Sequence, residues 1–407
     1  MTVLQLLRRH PRYLTFGFLH FFFSFVGQTF FISLFVDDMT EQLGWPERRF
    51  ATLYSTVTLI AAFTLPVMGT LVDRVRLRYV STAVAITVIG ALYVMGAATS
   101  VYLLFPALFL IRLGGQGVLP LIGSTAIGRY FVEGRGKALS ASIIGISAAE
   151  VILPPLAVAL LGTGDYSVTW WAAAALVLLV FLPAIWLLVS RYDNFQRAET
   201  VATELKAAAP EAATVRCWTR AEVLADSRFW FLLPALVFIP FLFTGFVFNQ
   251  SLIGEARSYS ASWMALGLST YGGARLVWLL FAGGIADRFG AARVLRWVYL
   301  PVLLAIAAMI FIDARPAVPL FFGLAGTTAG VESVLWPALW AERYGPLHLG
   351  GIKSMVRVFV VVASAAAPVV FSYGLGWGVE NWLGGMLGYG VLAWGLVQVG
   401  ARARVRG

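Results

Sequence analysis

Twelve stretches of predominantly apolar residues, near 13–36, 48–72, 79–98, 102–127, 138–161, 168–190, 228–253, 263–286, 293–312, 317–340, 354–375 and 381–400, run through this 407-residue chain. A helix needs about 20 such residues to cross a hydrocarbon layer about 30 Å thick. Membrane-spanning strands alternate over about 10 residues, whereas these runs are continuously apolar. The chain is 60% apolar and 12% charged, with a mean hydropathy of +0.83, against the roughly 25% charge of a soluble globule. The sequence therefore predicts an all-α membrane protein of twelve transmembrane helices. The first run is too long for a secretory signal, and no small-residue cleavage site follows it.

The stretches come as two copies of one unit. Gly69-Thr70-Leu71-Val72-Asp73-Arg74 after stretch 2 returns as Gly283-Gly284-Ile285-Ala286-Asp287-Arg288 after stretch 8, an offset of 214 residues (287 minus 73). The same offset pairs Arg129-Tyr130 with Arg343-Tyr344, Gly136 with Gly350 and Pro154 with Pro368. Upstream, Gly27, Ser33 and Leu34 match Gly245, Ser251 and Leu252 at an offset of 218 (245 minus 27). The predicted organisation is a six-helix bundle over 1–190, a linker over 191–227 and a second six-helix bundle over 228–407.

A net charge of +10 invites a nucleic-acid partner, but the placement of the basic residues gives a simpler cause. With the N-terminus in the cytoplasm, Lys and Arg collect in the cytoplasmic segments, as the positive-inside rule requires. Only Arg48, Arg49, Arg257 and Arg315 fall on the other side, and Arg112, Arg275 and Arg357 lie within apolar stretches. The bilayer, not nucleic acid, is the partner, and both termini and the linker are read as cytoplasmic in a plasma (inner) membrane. A single cysteine, Cys217, allows no intramolecular disulfide. No phosphate-binding glycine loop or Cys/His ligand spacing occurs, so no cofactor or metal is called for. Of three histidines only His20 lies in an apolar stretch, which leaves no constellation for an enzyme.

Gly69-x-Leu71-x-Asp73-Arg74 with Arg78, repeated as Gly283-x-Ile285-x-Asp287-Arg288-x-Gly290 with Arg293, resembles the cytoplasmic loop signature of the major facilitator superfamily. Arg76 stands where a glycine is usual. The resemblance spans all twelve stretches and implies a monomeric secondary transporter whose two bundles rock about a central substrate site by alternating access. Gly69, Asp73, Arg74, Arg78, Gly283, Asp287, Arg288 and Arg293 would then form a contact that makes and breaks during movement, with Arg357 as a further gate. Arg112-Leu113-Gly114-Gly115-Gln116-Gly117 and the glycine-spaced stretch 5 look more loosely like the oxalate/formate antiporter and monocarboxylate transporter branch. An arginine in stretch 8 also occurs in the carboxylate-transporting relatives.

A charge at mid-bilayer costs on the order of 3 kcal/mol on insertion scales, so intramembrane ionisable groups are functional candidates. At the 214-residue offset Glu150 maps to Ser364, Arg275 to Ala61, Arg357 to Ile143, Glu332 to Val118 and Arg112 to Gly326. None is duplicated, so these residues, apart from Arg357 near the cytoplasmic mouth, are read as setting substrate and coupling rather than movement. Arg275 lies 12 residues before Asp287 (287 minus 275), roughly 18 Å along the helix and near the midplane, as do Glu150 and Glu332. A guanidinium does not titrate and forms forked hydrogen bonds to carboxylates. Arg275 is therefore read as the ligand of an anionic substrate, with Gln28, Asn249, Gln250 and Glu332 beside it; the alternative is an internal ion pair with Glu332 or Glu150. Glu150, His20 and Arg112 are the candidates for proton coupling. The reading is a proton-coupled symporter or antiporter of a small, monocarboxylate-like anion; the alternative is an exporter of lipophilic compounds. Cysteines introduced into 191–227 should react with an impermeant maleimide only after the membrane is opened, and ready labelling in intact cells would reverse the topology.

Overall fold

The computed structural model describes residues 8, 10–131, 135–162, 165–189, 218–345 and 349–401, without the side chains of residues 73, 129, 135, 136, 189, 287, 349–351 and 354. All regular structure among them is helical. Eleven single helices are long and apolar enough to span: α2 (Glu47–Val72), α3 (Leu77–Ala97), α4 (Val101–Gly128), α5 (Lys137–Leu161), α6 (Tyr166–Leu188), α7 (Ser227–Phe248), α8 (Ala261–Ala286), α9 (Ala291–Phe311), α10 (Ala317–Tyr344), α11 (Met355–Trp377) and α12 (Val379–Gly400). The twelfth, α1, is a broken pair, Pro11–Gly27 and Thr29–Leu43, bent by 43°. The chain forms two compact units, Met1–Glu211 and Ala212–Gly407. Large side chains left exposed on their faces, such as Leu179 and Leu187 on α6 and Leu304 and Phe311 on α9, suit hydrocarbon rather than water.

In the first unit α1 breaks where Gln28 turns extended (φ −82°, ψ 148°). Gly27 allows it: a Cβ there would meet the Ile111 carbonyl oxygen at 2.2 Å and the Gln116 nitrogen at 2.4 Å, so α1 and α4 cross backbone to backbone. At that crossing α4 widens into a π-helical segment over Arg112–Val118, an irregularity frequent at functional sites. Below it, Phe31, Phe35 and Trp170 pack edge-on and tilted, joining α1 to α6. The Asp165 side chain caps α6, and hydrogen bonds from the Ser167 amide and hydroxyl hold its carboxyl below the usual carboxylate range.

In the second unit α8 and α10 share the most extensive seam. It is close because α10 presents small residues, as helix contacts in lipid favour: a Cβ at Gly326 would come within 2.4 Å of the Tyr271 carbonyl oxygen, and one at Gly330 within 2.6 Å of that of Arg275. The cap of α8 is Gly290, at φ +80°, where a glycine carries no penalty. Residues 218–226 lie within the stretch read as linker. They hold a short helix, Arg220–Ala225, whose start is a Thr219/Glu222 capping box. Trp218 is buried, its amide donates to the Tyr344 carbonyl at the end of α10, and the Tyr344 hydroxyl donates to Asp226. The rest of the proposed linker, 190–217, lies outside the described residues.

Gly27→Ala should lower the unfolding free energy in detergent by about 1–3 kcal/mol, the range for overpacking. Gly284→Ala, with nothing within 4 Å of the added Cβ, should be neutral or stabilising. A tolerated Gly27→Ala would contradict the backbone crossing.

Candidate functional site

Each unit gathers intramembrane polar groups around a place where a helix loses its regular hydrogen bonding. In the first unit the organiser is Arg112, 1% exposed at the start of the π-helical segment. Its Nη1 donates to the Gly27 carbonyl at 2.6 Å, the oxygen at the α1 break, and its Nε donates to Thr58 Oγ1 on α2 at 3.0 Å. The guanidinium carbon lies 4.7 Å from the centroid of the Tyr54 ring, a cation–π contact that helps to hold a charge away from water. The Tyr54 hydroxyl pairs with Thr29, the first residue past the break, at 2.8 Å. Arginine, tyrosine and two threonines thus bind the two pieces of α1 to α2 and α4. Tyr54, Thr58 and Thr29 escaped the sequence reading. A tyrosine hydroxyl in an apolar run needs a partner, and that was the signal.

In the second unit α9 is interrupted between Ala291–Leu295 and Leu300–Phe311, ahead of Pro301. The freed carbonyls are taken from the side: Trp394 and Gln398 on α12 donate to the Arg296 oxygen, and Thr328 on α10 donates to that of Val298. The interruption turns Tyr299 inward. Its hydroxyl lies 3.0 Å from the Ala235 carbonyl of α7 and 3.1 Å from Glu332 Oε2 on α10. Glu332 is 8% exposed, and Arg275 on α8 acts on its charge. Arg275 is half-buried. Two residues that sequence reading assigned to the substrate therefore lie within electrostatic reach of each other, joined by the glycine seam of α8 and α10.

The other predicted residues separate. His20 is 0% exposed between the Phe16 and Phe181 rings. Its Nδ1 bonds the Phe16 carbonyl and its Nε2 pairs with Ser81 Oγ, each at 2.8 Å. The carbonyl only accepts, so Nδ1 carries the hydrogen and both nitrogens are used. In this arrangement His20 ties α1 to α3. Asn249 ends α7, and its amide donates to the Gly245 and Pro368 carbonyls at 2.8 and 3.3 Å. These donors close a helix end against α11. Gln250 is buried beside it, and Glu150 is buried on α5. Gln28 is half-buried at the α1 break, bonding Ser24 at 3.4 Å.

Of the motif residues, Arg74, Arg288 and Arg293 are exposed, with Arg288 over the Phe289 ring. Arg78 covers Tyr79 and Trp186, and Arg357 is exposed on α11. Within their own units Gly69 and Gly283 meet nothing closer than about 4 Å, so the close helix approaches fall at Gly27, Gly326 and Gly330 instead. The side chains of Asp73 and Asp287 lie outside those described. No group of acidic, histidine or cysteine residues suited to a metal occurs among the described residues.

The sequence profile of the Major Facilitator Superfamily matches residues 17–368. The chain belongs to that superfamily. No curated protein matches it by sequence. Among solved structures it is similar to the nucleoside transporter NupG, with a TM-score of 0.69 at 13% identity over 96% of this chain and 98% of that one. It is also similar to the human organic anion transporter MFSD10 (TETRAN), with a TM-score of 0.65 at 16% identity over 96% of this chain and 100% of that one. At these identities the likeness concerns the fold. The superfamily member described here is a multi-pass integral membrane protein and a transporter, not an enzyme. In its Arg112→Lys variant one nitrogen replaces the two that reach Gly27 and Thr58, and the planar fork is lost. Its unfolding free energy should fall by about 1–3 kcal/mol, the cost of leaving a buried acceptor unmatched. Unchanged thermal unfolding would show that the α1 break stands without Arg112.

Proposed function

We propose that the chain is a proton-coupled carrier of a small, monocarboxylate-like organic anion. It works as a monomer by alternating access in the plasma (inner) membrane, with both termini cytoplasmic. The observation that carries this reading is Arg275, half-buried near the middle of α8 with the Glu332 carboxyl in electrostatic reach. A guanidinium at that depth needs a countercharge, and one that acts on a titratable carboxyl can exchange it: this reading gives Arg275 either Glu332 or a bound anion as its countercharge. The likeness to an organic anion transporter agrees with such a cation, and the likeness to a nucleoside transporter agrees equally with a small polar solute. Asp73 and Asp287, duplicated at the ends of α2 and α8, serve movement rather than recognition, with Gly69, Gly283 and the neighbouring arginines.

The test is uptake into liposomes holding the purified protein, screening labelled monocarboxylates, dicarboxylates and cationic dyes. A monocarboxylate should be taken up by the wild type. Arg275→Lys loses the forked geometry and should weaken that anion by about 1–3 kcal/mol, in line with hydrogen bonds to charged groups, at unchanged folded yield. Anion transport indifferent to Arg275→Lys, with efficient dye transport, would replace this reading with the exporter of lipophilic compounds.

A further inference from the structure

Tyr299 has one hydroxyl hydrogen and two oxygens to give it to. The Ala235 carbonyl, at 3.0 Å, can only accept. Glu332 Oε2, at 3.1 Å, accepts when the carboxyl is ionised and donates when it is protonated. The two distances are equal to within a tenth of an ångström, so the hydroxyl stands midway between two hydrogen-bonding arrangements. In one, the carboxylate receives the tyrosine hydrogen. In the other, the carboxylic acid donates to the tyrosine oxygen and the tyrosine hydrogen turns to Ala235.

We propose that Glu332, rather than Glu150, carries the coupled proton, and that Tyr299 relays its protonation state from α10 to the Ala235 carbonyl of α7. The inference deepens the proton-coupled reading above and rests on it. The step breaks no heavy-atom bond: a proton from water adds to Oε2, the new O–H takes Tyr299 as its acceptor, and the tyrosine hydrogen swings to Ala235. Loss of the proton to water reverses all three.

The surroundings fit a group whose charge is exchanged. The Arg275 guanidinium on α8 acts on the Glu332 charge, and α9 brings Tyr299 with Arg296 one turn before it. On α12 the Tyr389 hydroxyl is already committed to the Pro234 carbonyl. The span α7 presents the Ala235 carbonyl, with the charged residues Asp226 and Arg228 at its start, while Lys353 just before α11 and Arg357 in its first turn are both exposed. An anion bound to Arg275 would take the countercharge of Glu332 and leave a buried negative charge, which a proton removes. Anion and proton then bind with positive coupling, reciprocal by thermodynamic necessity. Such coupling is what a symporter requires.

Infrared spectroscopy of the full-length protein in liposomes, without substrate, tests this. The wild type should show a D2O-sensitive carboxylic-acid C=O band that is lost as the buffer is made alkaline. Glu332→Gln should remove the band, Glu150→Gln should retain it, and Tyr299→Phe should shift its frequency, because the acid loses its acceptor. Absence of the band from the wild type, its persistence in Glu332→Gln or its indifference to Tyr299→Phe would each overturn the proposal. Should Glu332→Gln fail to fold, Tyr299→Phe decides alone. Because no substrate is present, failure here leaves the anion-carrier reading standing, whereas monocarboxylate uptake indifferent to an imposed pH gradient would remove the coupled reading itself.

Discussion

Inside a bilayer no water waits to bond a carbonyl that a helix has released, and each such group left alone costs several kcal/mol. The polar architecture of this protein follows from that constraint. Where α1 breaks, a guanidinium takes the Gly27 oxygen. Where α7 ends, the Asn249 amide bonds Gly245 and Pro368. At the interruption of α9, an indole, an amide and a threonine hydroxyl take Arg296 and Val298. Irregular backbone at membrane depth is tolerated where side chains can do this.

The two copies solve the problem differently, and the difference bears on function. The repeated motifs and the six-helix plan are common to both units. Arg112 has a glycine, Gly326, at its counterpart, and that glycine lets α10 lie against the Tyr271 carbonyl of α8. Where the first unit has a cation holding two helices, the second has a bare backbone contact that brings Arg275 and Glu332 within reach. A duplicated fold thus carries unduplicated chemistry.

Much of the fold was legible in the sequence because its causes are local. Apolar length marks the spans, and the 214-residue offset marks the repeat. The partners of the polar side chains were not legible, since they come from other helices: nothing near His20 in sequence announces Ser81, and nothing near Asn249 announces Pro368. Those two residues were singled out for their chemistry, yet a buried polar side chain in lipid must be satisfied whatever its role, and theirs are. Tyr299 was passed over for the converse reason. In an apolar run it read as one more aromatic, and only the α9 interruption sets its hydroxyl between Ala235 and Glu332.

The central claim is that an anion at Arg275 and a proton at Glu332 travel together. Liposomes containing the purified protein, an entrapped pH-sensitive dye and a voltage clamped by potassium and valinomycin measure this directly. Adding outside the monocarboxylate that the protein takes up should acidify the lumen at a rate proportional to uptake. Uptake of the anion with no accompanying proton movement would contradict the account.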